Sequence, residues 1–219
     1  MADPLRMYLV LRRGAVGDLA GAGELAGAAA VSCVRRFERD PGFADAFAAW
    51  RPRPGKVCLR ARTMGQWREL LGEPHALAGD RDGKAAVAIP PRRRSDRGPL
   101  LERLQAMSTE LAPPPSRAAA SGRRLAVTYL LNPAARMSSG KTVAQVAHAA
   151  VMAADTGALE DWVADGCPGH LIAPDAAEFE AASSRDDVVA RVVDAGLTEV
   201  PAGTVTVVAC APRVIARAG

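Results

Sequence analysis

The chain has 219 residues, 49% of them hydrophobic and 24% charged, and a formal net charge of +4. That balance suits one large or two small globular domains, and no apolar run approaches the ~20 residues that span a bilayer, so the chain reads as soluble. Arginine supplies all of the basic residues except Lys56, Lys84 and Lys141, which fits a polyanionic partner without requiring one.

Residues 8–11 read as a strand. Near the N-terminus only 7–11 is continuously apolar before Arg12 and Arg13, too short for a secretory h-region, so the expected location is cytoplasmic. Helices follow at 24–36 and 43–50, a strand at 56–59, a helix at 64–71, and strands at 76–78 and 85–89. The run Pro90-Pro-Arg-Arg-Arg-Ser95 breaks the pattern, and 100–111 has the spacing of a terminal amphipathic helix. Arg92 to Arg94 with Arg97 read either as a solvated charge run or as an RNA-phosphate contact. Cys33, Cys58, Cys167 and Cys210 form no Cys-x-x-Cys pair, which argues for buried thiols over a zinc site or a disulfide framework.

Residues 108–123 carry three consecutive prolines and little that could be buried, the composition of an extended linker. Beyond it, 125–131 reads as a buried strand and 140–154 as a helix. Short helices are expected at 159–163 and 176–182, an apolar segment at 169–173, and β-branched strands at 188–193 and 204–210. Strands alternating with helices predict an α/β protein: two small three-layer α/β/α domains with mixed, largely parallel sheets. The expected division is 1–107, a linker at 108–123, and 124–219.

The residues with chemistry to offer fall in two stretches. Met137-Ser-Ser-Gly-Lys-Thr-Val-Ala-Gln-Val-Ala-His148 follows a strand and opens a helix, where free amides and the macrodipole favour anions. Gly140-Lys141-Thr142 matches the end of a phosphate-binding P-loop, but Ala135 stands where the first glycine is required, and Pro133 and Arg136 crowd the loop. Lys141 and Gln145 lie four apart on one helix face, with His148 on a similar stripe, as a packed, capping or catalytic residue. In the second stretch, Asp194 ends a strand, Gly196 permits a tight turn, Thr198 sits in the loop, and 201–203 turns the chain into the last strand.

Taken together these segments resemble the two signatures of type II (archaeal/eukaryotic-type) peptidyl-tRNA hydrolases. A Met-Gly-x-Gly-Lys-x-x-x-Gln-x-x-His-Ala-like helix start is paired there with an Asp-Ala-Gly-x-Thr-x-x-x-x-Gly-x-x-Thr-like turn, and the likeness covers 125–211. The resemblance implies hydrolysis of the ester joining a peptide to tRNA, with no metal or other cofactor required. It also implies Lys141, Asp194 and Thr198 as catalytic residues and Gln145, Thr206 and His148 as substrate contacts. Ser138 and Ser139 stand where the pattern has a Gly and a usually basic residue, Leu197 where it has a common arginine, and Asn132-Pro133 where it has a polar-charged strand end, departures that together remove positive charge. The competing expectation is a noncatalytic tRNA- or protein-binding module on the same fold.

The first half repeats the order of elements of the second, and Gly27-Ala-Ala-Ala-Val31 echoes Ala147-His-Ala-Ala-Val151. A divergent tandem duplication would account for both. Ungapped matching of Leu11 to Leu131 puts Gly21 at the place of Lys141 and Leu25 at that of Gln145, so this copy lacks the chemistry. Because the family resembled is typically homodimeric, the first half is expected to act as a tethered pseudo-partner. The expected partners are therefore tRNA and no membrane, on a monomeric intramolecular pseudo-dimer, with a homodimer as the alternative.

Overall fold

The computed structural model describes residues 3–107, 110–117, 125–197 and 199–212. The first half contains β1 (Arg6–Arg12), α1 (Leu19–Phe37), α2 (Ala44–Trp50), β2 (Gly55–Ala61) and α3 (Met64–Leu70). It ends with β3 (Ala76–Gly79), β4 (Ala85–Arg92), α4 (Gly98–Arg103) and β5 (Gln105–Ala106). The second half contains β6 (Val127–Leu131), α5 (Ser139–Asp155), α6 (Glu160–Ala164), β7 (Gly169–Ile172), α7 (Ala176–Ser183), β8 (Val188–Val193) and β9 (Val205–Cys210).

Short polar residues start four of these helices. The side chains of Asp18, Thr63, Ser138 and Asp175 accept a backbone N–H from the first turn of α1, α3, α5 and α7, satisfying a donor that the helix itself cannot pair. Strand β1 is buried on both faces from Met7 to Leu11. Its odd-numbered side chains enter the central core and its even-numbered ones an outer core under α3 and α4, the period-2 division that a covered sheet demands.

The first sheet has the order β3-β4-β1-β2-β5 and the second β7-β6-β9-β8. Both are mixed, as expected, but they are not largely parallel. Among these pairings only β1–β2 and β6–β7 run parallel; β1–β4, β2–β5, β3–β4, β6–β9 and β8–β9 are antiparallel. The reason lies in the connections: β3 joins β4, and β8 joins β9, through loops with no crossover helix, and such loops return the chain antiparallel. The predicted helix over 100–111 is also corrected. It stops at Arg103; Leu104 is extended, residues 105–106 pair with Arg60 and Leu59 on the edge of β2, and the Met107 amide donates to the Cys58 carbonyl. An unpaired edge has outcompeted helical periodicity.

The layers are shared rather than separate. α1 and α5 lie side by side between the two sheets in one continuous core. They pack parallel, because Gly23 faces Val146 and, one turn on, Gly27 faces Ala150. A Cβ on Gly23 would stand 2.9 Å from Leu171 Cδ2, so the glycines permit the close approach. Residues 110–117 bond to both halves. Leu19 donates its N–H to the Ala112 carbonyl, Leu111 to Ser139 Oγ, and Ala173 to the Pro115 carbonyl.

The halves have the same topology. With β1, α1, α2, β2, α3, β3 and β4 set against β6, α5, α6, β7, α7, β8 and β9, strand order and strand sense agree throughout. A buried tryptophan recurs at one place in both. Trp50 donates its indole N–H to the Gly55 carbonyl at 2.8 Å and Trp162 to the Pro168 carbonyl at 2.7 Å, the first residue of β2 and the residue just before β7.

Candidate active site

The first turn of α5 and the end of β8 meet at one point. Lys141 Nζ lies 2.5 Å from Asp194 Oδ2, and Gln145 Nε2 donates to the same oxygen at 2.6 Å. The other carboxylate oxygen, Oδ1, accepts the Gly196 N–H at 2.8 Å. Position 196 must be glycine: its φ is +73°, and a Cβ would sit 2.5 Å from the Ala202 nitrogen. The backbone of Asp194 closes the hairpin, its N–H donating to the Thr204 carbonyl and its carbonyl accepting from the Gly203 N–H. Residues that are 53 positions apart in sequence thus form one cluster, the i, i+4 spacing of Lys141 and Gln145 letting both reach a single carboxylate.

Burial divides the work within this cluster. The Asp194 side chain is 5% exposed and that of Lys141 17%, so of the two Lys141 is the more open to an incoming group. Burial raises the Asp194 carboxyl, but hydrogen bonds from Lys141, Gly196 and Gln145 and the Lys141 charge outweigh it and hold the group below the usual carboxylate range. Asp194 is therefore ionised, fully engaged and a weak base.

The other anticipated residues are placed differently. Thr206 is fully buried on β9, its hydroxyl donating to the Val192 carbonyl at 3.2 Å, and so is not open to a ligand. His148 lies further along α5, where burial first, then the charge of Lys56, push its ring down to about 3; it is neutral at physiological pH. Thr198 lies outside the described residues. The thiols are buried, and desolvation pushes Cys58 and Cys167 up to about 12, far from the thiolate a nucleophile needs. The Arg92 to Arg94 run sits at the end of β4 that pairs with the start of β1, bonded to Glu73 and to Asp3, at the opposite end of that sheet from the loop leading into α1.

Two acidic residues that sequence reading missed cap α5. Glu199 accepts from the Ser138 N–H and hydroxyl at 2.6 and 2.8 Å, and Glu110 accepts from the Ser139 hydroxyl at 2.9 Å. The helix end is an anion site, as expected, but intramolecular carboxylates occupy it. No local pattern announces them, since they are 61 and 29 positions away from their partners.

In the first half the corresponding hairpin keeps its backbone geometry. Asp80 donates its N–H to the Lys84 carbonyl, accepts from the Gly83 N–H, and takes the N–H two residues on at Oδ1, as Asp194 does. The helix facing it carries Gly21 and Leu25 where α5 carries Lys141 and Gln145, and a Cβ on Gly79 would come within 2.9 Å of Leu25 Cδ2.

No solved structure matches the chain. Residues 126–217, which hold the whole Lys141–Gln145–Asp194 cluster, match the family model for peptidyl-tRNA hydrolase PTH2, so the C-terminal half of the chain is similar to that family.

Proposed function

We propose that this chain hydrolyses the ester bond of peptidyl-tRNA, releasing peptide and free tRNA, with Lys141 at the reaction centre. The observation that carries this reading is the Lys141–Asp194–Gln145 cluster at the start of α5, inside the stretch that matches the family. Water adds to the ester carbonyl, an oxyanion develops, and the C–O bond to the 3′ ribose breaks as that oxygen takes up a proton. Lys141 keeps N–H donors beyond the one aimed at Asp194 and faces the oxyanion. Asp194 orients Lys141 and Gln145 and is too weak a base to take the proton outright. Thr198 positions the water, and His148 and Thr206 support the substrate surface from within. The reaction as drawn uses side chains alone.

The first half reads as a degenerate copy, tethered as a pseudo-partner in a monomer. Support comes from the shared strand order, the paired tryptophans and the retained turn at Asp80. A tether raises the effective concentration of a partner surface to the millimolar range or beyond. Light scattering behind size exclusion should give a monomer; a symmetric dimer through the C-terminal half would overturn this part. A second reading, a noncatalytic tRNA-binding module, is favoured by Glu110 and Glu199 standing where a phosphate would dock. Turnover of an N-blocked aminoacyl-tRNA decides between them: hydrolysis that disappears in Lys141→Ala and Asp194→Asn supports the enzyme, and tight binding without hydrolysis supports the module.

A further inference from the structure

The start of α5 is held from outside the stretch that matches the family, by the chain that joins the halves. The Ser139 hydroxyl donates to Glu110 Oε2 at 2.9 Å, and its oxygen accepts the Leu111 N–H at 2.9 Å. The Ser139 backbone N–H reaches Glu110 Oε1 at 3.4 Å. The Met107 carbonyl oxygen would stand 2.6 Å from a Cβ at Gly140, so the chain passes the helix where no side chain intervenes. Met107 is anchored in turn, its N–H on the Cys58 carbonyl and its sulfur 3.5 Å from Cys58 Sγ.

The same segment grips α1. Leu19, the first residue of that helix, donates its N–H to the Ala112 carbonyl at 2.8 Å, and the Ala112 N–H donates to the Gly17 carbonyl at 3.4 Å. Leu19 and Ser139 hold matching places, each directly after its capping residue, Asp18 or Ser138. Residues 110–112 therefore span the starts of two parallel helices and bond to the first residue of each. The two ends differ in kind. Leu19 is bonded through its backbone, whereas Ser139 is 1% exposed and is bonded through its side chain as well. Glu110 thus addresses the helix that carries Lys141, not the one that carries Gly21.

Ser139 and Lys141 share the first turn of α5, where N–H groups lack helical partners and the backbone frays most readily. Among the described residues three carboxylates converge on this turn: Glu199 on Ser138, Glu110 on Ser139 and Asp194 on Lys141. Asp194 and Glu199 come from the chain between β8 and β9 and tie the turn to that hairpin, whereas Glu110 ties it to the chain leading from the first half. We propose that Glu110 is a positioning residue for the reaction centre, holding the first turn of α5 through Ser139 so that Lys141 stays on Asp194. The catalytic consequence rests on the hydrolase reading; the hold on Lys141 rests on these contacts.

The test uses the full chain with Glu110→Ala, which removes the acceptor, and Glu110→Gln, which keeps one for the Ser139 hydroxyl. Glu110 is exposed, so both variants should retain the parent's far-ultraviolet circular dichroism and urea midpoint. Burial raises the Asp194 carboxyl, and the Lys141 hydrogen bond leads the contacts that hold it below the ordinary range. A loosened lysine is therefore read directly: in ¹³C carboxyl titrations Asp194 should move up in Glu110→Ala and return towards the parent in Glu110→Gln. On N-blocked aminoacyl-tRNA, a misplaced Lys141 should lower kcat about tenfold in Glu110→Ala with KM within about twofold, and Glu110→Gln should recover most of the loss. Adding Ser139→Ala to Glu110→Ala should lower kcat no further, because both act through one bond. An unchanged Asp194 titration in a folded Glu110→Ala protein overturns the proposal, as does a Glu110→Gln variant as impaired as Glu110→Ala. If the parent hydrolyses nothing while Asp194 still shifts, the hydrolase reading fails and the hold on Lys141 stands.

Discussion

The two halves of this chain agree in nearly everything that builds a fold and differ in the few side chains that meet at the aspartate of the last hairpin. Both lay a strand, an Ala-rich helix capped by Asp18 or Ser138, a second helix carrying a buried tryptophan, and a parallel second strand in the same order. Both close the third and fourth strands with an aspartate turn, Asp80 or Asp194. Only in the second half does the facing helix offer a lysine and a glutamine. Backbone hydrogen bonding and core packing tolerate Gly21 and Leu25 as readily as Lys141 and Gln145. An ionised, buried carboxylate does not, because it needs donors aimed at it. Topology can therefore be shared where side-chain clusters differ, and the candidate site is recognised by what meets the aspartate.

The sharpest break in that comparison comes from Lys141→Ala. Loss of an oxyanion donor costs about 3–4 kcal/mol in the transition state, so hydrolysis of N-blocked aminoacyl-tRNA should fall by roughly 10²- to 10³-fold while far-ultraviolet circular dichroism stays unchanged. A fall of less than tenfold would move the reaction centre away from this lysine. Next in size is Gly23→Val, which drives a branched side chain into Leu171 and Val146 between α1 and α5; over-packing of this kind costs about 1–3 kcal/mol. Chemical denaturation should show one lowered transition, because the core is continuous across the halves; two separate transitions would show that they unfold independently.

A smaller effect compares the tryptophans directly. Trp50→Phe and Trp162→Phe each strand a carbonyl acceptor, that of Gly55 or Pro168, and each should cost about 1–2 kcal/mol. Unequal losses would mean that one half contributes more than its twin to the common core. Asp194 adds an acid limb. Its folded pKa lies below the ordinary 3.8, so its stabilisation is complete above about pH 4–5 and lost as pH falls through the folded value. Asp194→Asn should flatten that part of the stability profile in urea titrations. The smallest effect is expected from Asp80→Asn, which perturbs an exposed turn, changes stability by less than about 1 kcal/mol, and leaves hydrolysis at the parent rate. A large loss of activity would give the first half a catalytic role.

Much of this was legible from sequence, and for definite reasons. Helix and strand positions followed from periodicity and caps, so β1, α1, α5 and β9 fell close to where they were expected. The pairing of Lys141 with Gln145 was readable because four residues make one helical turn. The meeting of both with Asp194 was suggested by family likeness, since nothing local couples positions so far apart. What failed were inferences about competition. A helix was expected where the open edge of β2 claims Gln105 and Ala106, and the mixed sheets were expected to be largely parallel where loops without a crossover helix return the chain antiparallel.

By itself, then, the sequence determined most of the elements and the residues on each helix face, because those depend on neighbours within a turn or a pleat. Only the tertiary structure decided that α1 and α5 share one layer between two sheets, that Glu110 and Glu199 fill the anion site at the start of α5, and that the chain joining the halves bonds to the first residue of both helices. Each of these is set by which surfaces remain to be covered once the elements exist. That is a property of the whole folded chain, carried by contacts between residues distant in sequence.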